Sequence, residues 1–399
     1  MFGTPTSVVV QPTTLCNLDC RYCYLPFRRR YLTMPTEVAR AVAASVQPWT
    51  CTQTVEVCWH GGEPLATGRA RLGALLDCFD GLDVAHGVQT NGVLVDDAWC
   101  RFFAERGMHV GVSIDGTRDD TASRVDRGGK PVYDRIVRGI KTLQDHGLDV
   151  AIIAVVSDPT PARALRLYEF ATSLGVSALG VNIEEQEGVN SASNAHDLTV
   201  VASFWRALAD AWIANPAVAV RELNRALGYV DFVLRNNNSD GAAGLPLRPD
   251  PLPTVGYDGS VTLISPELAG FSSSRLGDFS CGNVLEASLD DLIRRGSTST
   301  WVTEYRAGLS ACRDTCAYFE FCGGGQPANR YFEQGRFDGT ETNYCRNSKI
   351  ALVEGILDYG ARNGIAEGTY PISRGRTSAA ADVPNTVACQ QVRQPRNLG

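Results

Sequence analysis

No stretch of the 399-residue sequence is apolar for the length that a membrane-spanning helix needs, which excludes a helical integral membrane protein. The N-terminus lacks a basic start followed by an apolar core, so no secretory signal peptide is read there. Positive charge is not in excess. The formal net charge is −7, which leaves no broad basic field for nucleic acid as the main partner. No internal repeat is found. These absences lead to the expectation of a cytoplasmic protein with neither membrane nor nucleic acid as partner. Hydrophobic content of 44% and charged content of 20% are those of a globular chain. The length allows roughly two or three domains.

Cysteine is what the sequence has in abundance, with thirteen. In a reducing compartment cysteines serve metals or catalysis more often than disulfides. The densest group is Cys16-Asn-Leu-Asp-Cys20-Arg-Tyr-Cys23, in a short loop after the apolar run Val8 to Gln11. Thiolates select zinc or iron–sulfur centres over hard cations. Three of them at this spacing hold three irons of a [4Fe–4S] cube and leave the fourth iron open. Zinc needs a fourth ligand close by, and the nearest histidine, His60, lies beyond the first predicted helix. Cys312, Cys316, Cys322 and Cys345 form a second group. Cys51, Cys58, Cys78, Cys100, Cys281 and Cys389 lie outside both and read mostly as plain thiols.

The chain up to residue 195 alternates two periods. Apolar, β-branched runs cover Ser7–Gln11, Thr54–Trp59, Val84–Thr90, His109–Ile114, Val150–Val156 and Ala178–Ile183. Helical periods fall near 36–47, 69–80, 95–107, 132–147 and 162–175. Alternation of this kind indicates βαβ units and a parallel sheet. The expected fold class is α/β, with residues 1–195 forming an open, partial (β/α)6 TIM-like barrel. In such folds the reacting groups gather at the C-terminal ends of the strands. Residues 196–253 read as a connector of two helices followed by an Asn-, Gly- and Pro-rich loop over 237–253. Residues 254–366 read as a second domain, with a hairpin around Tyr257-Asp258-Gly259, helix over 283–307, a Cys-rich knot at 312–325 and a last helix over 344–362. Residues 367–399 lack periodicity and are expected to be a disordered tail.

The motifs fall at predicted strand ends. Strand two runs into Trp59-His60-Gly61-Gly62-Glu63-Pro64, where glycines allow close backbone approach and a glutamate can accept from an ammonium group. His60 reads either as a structural histidine or as a proton shuttle. Strand three ends in Thr90-Asn91-Gly92 and strand four in Ser113-Ile114-Asp115-Gly116. These suit ribose or carboxylate contacts, or simply turns. Arg124 and Arg127 follow in a polar loop, as bidentate partners for a carboxylate or as surface charges. Strand six runs into Asn182-Ile183-Glu184-Glu185-Gln186-Glu187, a substrate surface or a solvated loop. Arg28-Arg29-Arg30 reads either as a solvated loop or as an anion contact.

Cys16, Cys20 and Cys23 with Tyr22 between them, the Gly61-Gly62-Glu63-Pro64 turn and the six-fold β/α pattern together resemble a radical SAM enzyme. The resemblance implies a [4Fe–4S] cluster on those three cysteines, with S-adenosylmethionine (SAM) capping the open iron. It places Tyr22 against the adenine and Gly61, Gly62 and Glu63 at the methionine amino group. Asn91, Ser113, Asp115 and Asn182 become further SAM contacts. The C-terminal third resembles a reduced SPASM-type domain. Cys312, Cys316, Cys322 and Cys345 then ligate one auxiliary [4Fe–4S] cluster, while Ile264 and Gln326 stand where that pattern has thiols. Cys281 is left as a structural thiol or a stray ligand.

Further motifs narrow the resemblance. They are Asn182-Ile-Glu-Glu-x-Glu-Gly-Val-Asn190, Ser265-Pro-Glu-Leu268, Tyr318-Phe-x-x-Cys322-Gly-Gly-Gly and Thr340-Glu-Thr-x-x-Cys345-Arg346. With Gly277-Asp-Phe279 and Gly282-Asn-Val284 they are similar to the GRRM (glycine-rich repeat modification) maturases. That resemblance implies a peptide maturase that forms a cyclophane, an aromatic ring carbon joined to the Cβ of a nearby residue. Hydrogen abstraction by a 5′-deoxyadenosyl radical starts the reaction, and the auxiliary cluster takes the spare electron. The implied partners are a small precursor peptide and an external electron donor of the ferredoxin or flavodoxin type. Asp115, Glu184, Glu185 and His60 are unranked candidates for the group that takes the ring proton. Another SPASM reaction (a thioether cross-link or sulfatase formylglycine formation) and a non-catalytic electron carrier are the alternatives. The first strand begins at Ser7, so leader binding is expected to use the barrel, the 190–253 region or a separate protein.

Overall fold

The computed structural model describes residues 2–193, 195–236 and 251–362. The tail expected over 367–399 and most of the loop expected over 237–253 lie outside the described residues. Six strands run parallel in chain order: β1 (Ser7–Val10), β2 (Val55–Trp59), β3 (Val84–Thr90), β4 (His109–Ser113), β5 (Val150–Val156) and β6 (Ala178–Ile183). They are rich in valine and isoleucine and mostly buried, as strands covered on both faces are. Five helices connect them: α1 (Thr36–Thr50), α2 (Arg69–Leu76), α3 (Asp97–Glu105), α4 (Tyr133–Asp145) and α5 (Pro161–Leu174).

Local chemistry explains the helix ends. The Asp96 carboxylate accepts from Trp99 N at 2.8 Å to start α3. Thr160 caps α5 ahead of Pro161, and Gly175 closes it in a left-handed conformation. Along α4, Ile136, Gly139, Ile140 and Leu143 are buried, the stripe of an amphipathic helix laid on a sheet.

The sheet runs on past the boundaries expected at residues 195 and 253. Helices α6 (Leu198–Ala214) and α7 (Arg221–Asn236) flank β7 (Ala219–Val220), which pairs parallel to β6. At the other edge β8 (Thr254–Val255) pairs parallel to β1, with Val9 opposite Thr254 and Val10 opposite Val255. The hairpin expected there forms between β8 and β9 (Ser260–Thr262). Two short strands, β10 (Ser272–Ser273) and β11 (Gly277–Asp278), pair with each other, and β12 (Ser280–Asn283) pairs with β9. One ten-stranded sheet thus joins the barrel to the C-terminal region. Residues 196–236 build that sheet and its cover: α6 packs against α5 and against α13 (Ala351–Arg362), and Arg206 pairs with Asp358 at 2.8 Å.

The C-terminal region continues with α8 (Leu289–Gly296), α9 (Thr300–Thr315), α10 (Phe319–Cys322), α11 (Pro327–Gln334) and α12 (Asn343–Cys345). A wider helical turn over Arg346–Ile350 leads into α13. Aromatic residues hold this region together, with Phe279 edge-on to Tyr331 at 4.8 Å and to Phe337 at 5.3 Å. Among the described residues no helix is long and apolar enough to cross a membrane.

Candidate functional site

A cavity of about 190 Å³ opens at the C-terminal ends of the barrel strands. Cys16, Cys20 and Cys23 line one side of it. Backbone bonds from distant segments fix their loop: Cys16 N donates to Arg28 O at 2.9 Å, Asp19 N to Val125 O at 2.8 Å and Val189 N to Tyr24 O at 3.0 Å. The basic run is absorbed locally. Arg28 and Arg29 pair with Asp19, and Arg30 lies over the Phe27 ring. Arg127 donates to Cys16 O, at 2.6 Å from Nη2.

Burial pushes all three thiols up, Cys20 to about 11, and neighbouring thiols add to the effect at Cys16 and Cys20. Thiols in such a place become thiolates only when a cationic centre joins them. Among the described residues, no three or more His, Cys, Asp or Glu groups converge as the ligands of a single metal ion do. The donor set fits an iron–sulfur cluster, with Leu18 N donating to Cys16 Sγ at 3.4 Å and Asn91 Nδ2 lying 3.8 Å from it.

The glycine turn stands beside this loop. At Gly62, φ is +61° and a Cβ would come within 2.6 Å of both Thr13 O and Leu15 O, so only glycine lets the turn seat there. Glu63 N donates to Leu15 O at 2.7 Å and closes the contact. The Glu63 side chain is 1% exposed. It accepts from Thr90 Oγ1 at 2.6 Å, Asn91 N at 2.8 Å and Leu65 N at 3.1 Å. Burial lifts it to about 7, and no cation is among the groups acting on it. A buried carboxylate on a cavity wall with three neutral donors is suited to an incoming ammonium group. Gly62 and Glu63 line the cavity, whereas Gly61 abuts Gln11 behind it.

Tyr22, Asn91, Ser113 and Asn182 all reach the cavity. Asn91 Nδ2 donates to Asn17 Oδ1 at 2.7 Å and Gln89 Nε2 to Ser113 Oγ at 2.9 Å. Arg221 donates to Asn182 Oδ1 at 2.7 Å. Asp115 departs from the expectation of a direct contact or proton acceptor. It is 1% exposed and stands behind the wall. Arg124 takes it at both oxygens, and Tyr22 OH and Val155 N donate to it at 2.5 and 2.9 Å. With four hydrogen bonds from three residues its acceptor capacity is spent.

The far wall is charged. Glu184, Glu185 and Glu187 line it with Glu267, Arg221, Arg225 and Lys349. Glu184 Oε1 accepts from Asn190 Nδ2 at 3.2 Å. Asn329 Nδ2 donates to Glu185 at 2.6 Å and to Glu187 at 2.8 Å. Burial and mutual repulsion raise Glu187 well above the carboxylate range, and burial raises Glu185. Tyr24 OH lies 3.2 Å from His60 Nε2, and burial lowers His60 to about 4, so the ring is neutral at neutral pH. Lys349 lies over the Tyr344 ring at 5.2 Å and is lowered by burial to about 7. Tyr24, Arg221, Arg225 and Lys349 carry no signal in the sequence. Three of them sit in helical turns whose periodicity reads as ordinary surface or core.

The second group of cysteines lies next to this wall. Cys312 is on α9, Cys316 follows its last turn, and Cys322 and Cys345 end α10 and α12. Burial, Cys322 and Cys316 push Cys345 up to about 12, and the same two thiols act on Cys312. Cys312 is buried and the other three are half-buried, and a set of four thiols fits a fully ligated cluster. Tyr344, beside Cys345, lines the cavity, and Gln326 lies there with it, Nε2 donating to Tyr344 OH at 3.1 Å. Cys281 lies apart from this arrangement. Its Sγ donates to Val261 O at 3.2 Å and its side chain abuts Gly296.

The Radical SAM superfamily matches residues 10–171. An uncharacterised protein of Synechocystis is 30% identical over 372 residues, covering 89% of this chain and 92% of that one. The serine-type anaerobic sulfatase-maturating enzyme of Klebsiella aerogenes is 32% identical over 198 residues, 44% of this chain and 46% of that enzyme, so the match spans about half of each. Among solved structures, anSMEcpe with bound AdoMet superimposes with a TM-score of 0.67 at 20% identity, covering 90% of this chain and 98% of that one. Streptococcus suis SuiB bound to its precursor peptide SuiA gives 0.64 at 17% identity, covering 86% and 76%. The partial barrel with its SPASM-like C-terminal region is the fold these proteins share. The cysteine loop, the buried glutamate beside it and these matches place the chain in one family: it is a radical SAM enzyme, related to the anaerobic sulfatase-maturating enzymes.

Proposed function

We propose that this enzyme matures a ribosomally made peptide by joining an aromatic ring carbon to the Cβ of a nearby residue. One observation carries the reading. A single cavity has three thiols and Glu63 at one end, and at the other the Tyr344–Lys349 segment, which adjoins four further thiols. When bound, SAM and the cluster on Cys16, Cys20 and Cys23 supply a carbon radical that takes hydrogen from the peptide, and the auxiliary cluster accepts the spare electron.

The chain's own residues orient and protect that chemistry. Glu63 holds the methionine ammonium. Tyr22 lies against the adenine, fixed by its bond to Asp115. Gln89 and Ser113 face the ribose. Glu185 takes the ring proton: it lines the cavity, and burial makes it a stronger base than an exposed carboxylate. Asp115 has no capacity left for that role, and burial makes His60 a weak base, lowered to about 4. The starting electron comes from a small iron–sulfur or flavin carrier.

Oxidation of a serine or cysteine to formylglycine is the second reading. It is favoured by the likeness of the barrel to the Klebsiella enzyme. The test is co-expression with a small peptide encoded beside the enzyme. A product lighter by two hydrogens, with a ring-to-Cβ bond located by NMR, supports the cross-link. An aldehyde that reacts with a hydrazine, and no new carbon–carbon bond, would establish the second reading instead. Cys16→Ala is expected to abolish release of 5′-deoxyadenosine. Cys322→Ala is expected to retain some release and lose product. Full turnover by the latter would remove the auxiliary cluster from the reaction.

A further inference from the structure

We infer that Arg330 sets the reduction potential of the auxiliary cluster, holding it high enough to accept the electron that the substrate gives up. The inference rests on the reading that Cys312, Cys316, Cys322 and Cys345 ligate a cluster. Arg330 lies in α11 and is 1% exposed. Its Nη2 donates to Cys312 Sγ at 3.2 Å. Its other bonds go to backbone carbonyls: Gly324 O at 2.5 Å, Phe337 O at 3.0 Å and Tyr305 O at 3.4 Å. Among the described residues no carboxylate pairs with it.

A buried guanidinium without a carboxylate is costly, because carbonyl dipoles replace its hydration only in part. The one group in contact with it that carries charge when metal is bound is the Cys312 sulfur. The fold makes room for this arrangement. A Cβ at Gly308 would overlap Arg330 Nη1, and the Tyr305 ring lies 5.1 Å from the guanidinium carbon. A fixed positive charge is therefore built against one of the four ligand thiols.

The consequence is electrostatic. A cluster held by four thiolates gains negative charge when it is reduced. A cation held in a low-dielectric interior stabilises that reduced form more than the oxidised one, and hydrogen bonds to the sulfurs act in the same sense. The step balances. The substrate radical loses one electron, the cluster gains one, and the ring proton leaves to a protein carboxylate. Among the described residues the first cysteine group has no cation without a carboxylate partner against a ligand sulfur, since Arg28, which acts on Cys23 and Cys20, pairs with Asp19. Cys16 Sγ has only the neutral donors Leu18 N and Asn91 Nδ2, and Arg124, near Cys20, is neutralised by Asp115. The two sites are thus biased in opposite directions, one to give an electron and one to take it.

Redox titration of the anaerobically reconstituted full chain, followed by electron paramagnetic resonance, tests this. In Arg330→Gln the ratio of reduced to oxidised auxiliary cluster at a fixed potential should fall about tenfold, a midpoint shift of about 59 mV for a one-electron couple. Arg330→Lys, which keeps the charge, should restore most of it. SAM cleavage without peptide should be unchanged in both. A Gln variant with full iron content and an unmoved midpoint overturns the inference. If that variant loses iron, Arg330→Met, which fills the same buried space without a charge, takes its place. An unmoved midpoint there also overturns the inference. Wild-type protein that binds iron for one cluster only, with no second signal, instead refutes the reading of the four thiols.

Discussion

Asp115 and Arg124 form a two-pronged ion pair inside the protein, Nε to Oδ2 at 3.0 Å and Nη2 to Oδ1 at 2.8 Å, with side chains 1% and 7% exposed. Through Tyr22 and Val155 the same carboxylate ties the end of β4 to the cysteine loop and to β5. Removing one partner of a buried pair strands the other charge. Asp115→Ala should cost about 3–5 kcal/mol in stability, read by denaturant titration. Asp115→Leu combined with Arg124→Met should recover part of that loss. Equal losses in the single and double variants would show that the pair is not the source.

With Glu63 holding the SAM ammonium as proposed, SAM binding should depend on pH. Its folded value, about 7, lies above the ordinary 4.5 because of burial. Without ligand the folded state holds this proton more firmly than the unfolded chain between those values. The SAM-free protein therefore loses stability as pH rises across that window. An ammonium at the carboxylate reverses the shift, so SAM should bind more tightly as pH rises towards and through 7. Up to one proton should be released per SAM bound below that point, measured by calorimetry in two buffers. Glu63→Gln should flatten the profile and weaken binding roughly ten- to a hundredfold, the worth of a charge-assisted bond.

Lys349 is a buried cation whose folded value, about 7, lies below the ordinary 10.5 through burial. Between those values the unfolded chain binds more protons than the folded one, so stability rises with pH there. Lys349→Met should raise the unfolding temperature at neutral pH and remove that slope, while peptide turnover falls. A destabilised variant would mean that the ammonium has a partner in the folded chain.

Gly61 and Gly62 should respond unequally to alanine. Both have positive φ, but a Cβ at Gly62 meets two carbonyls of the cysteine loop, whereas one at Gly61 meets the flexible Gln11 side chain. Gly62→Ala should lose iron from the first site and SAM cleavage with it. Gly61→Ala should keep the iron, as read by the charge-transfer absorbance of the cluster.

The barrel was legible because its strands are β-branched runs between helices of clear period, and the predicted spans for β3, β5 and β6 are the ones observed. The cysteine loop was legible because its three thiols lie within eight residues and their spacing is itself the signal. The two-residue strand β7 carries no periodic signal and was not foreseen, and β8 was expected as a hairpin strand but not as a parallel neighbour of β1. Arg124 and Asp115 showed only as polar loop residues, since nothing in a sequence tells which loop folds back over which strand end. Arg330 was hidden in the same way. It follows Pro327, Ala328 and Asn329 in an ordinary helical turn, and its role comes from where α9 passes.

The pairing of Val9 and Val10 with Thr254 and Val255 has a consequence for how the protein comes to be made. The strand that leads into the metal loop is interior to the sheet, yet one of its neighbours is synthesised some two hundred and forty residues later. Contacts so distant in sequence close late and slowly during folding. As the chain leaves the ribosome, the first strand therefore keeps one open edge until the C-terminal region emerges. Iron delivered earlier meets a loop whose base is half built. Iron loading is thereby coupled to completion of the whole chain, and a fragment ending before Thr254 should acquire its cluster poorly even though it carries all three cysteines.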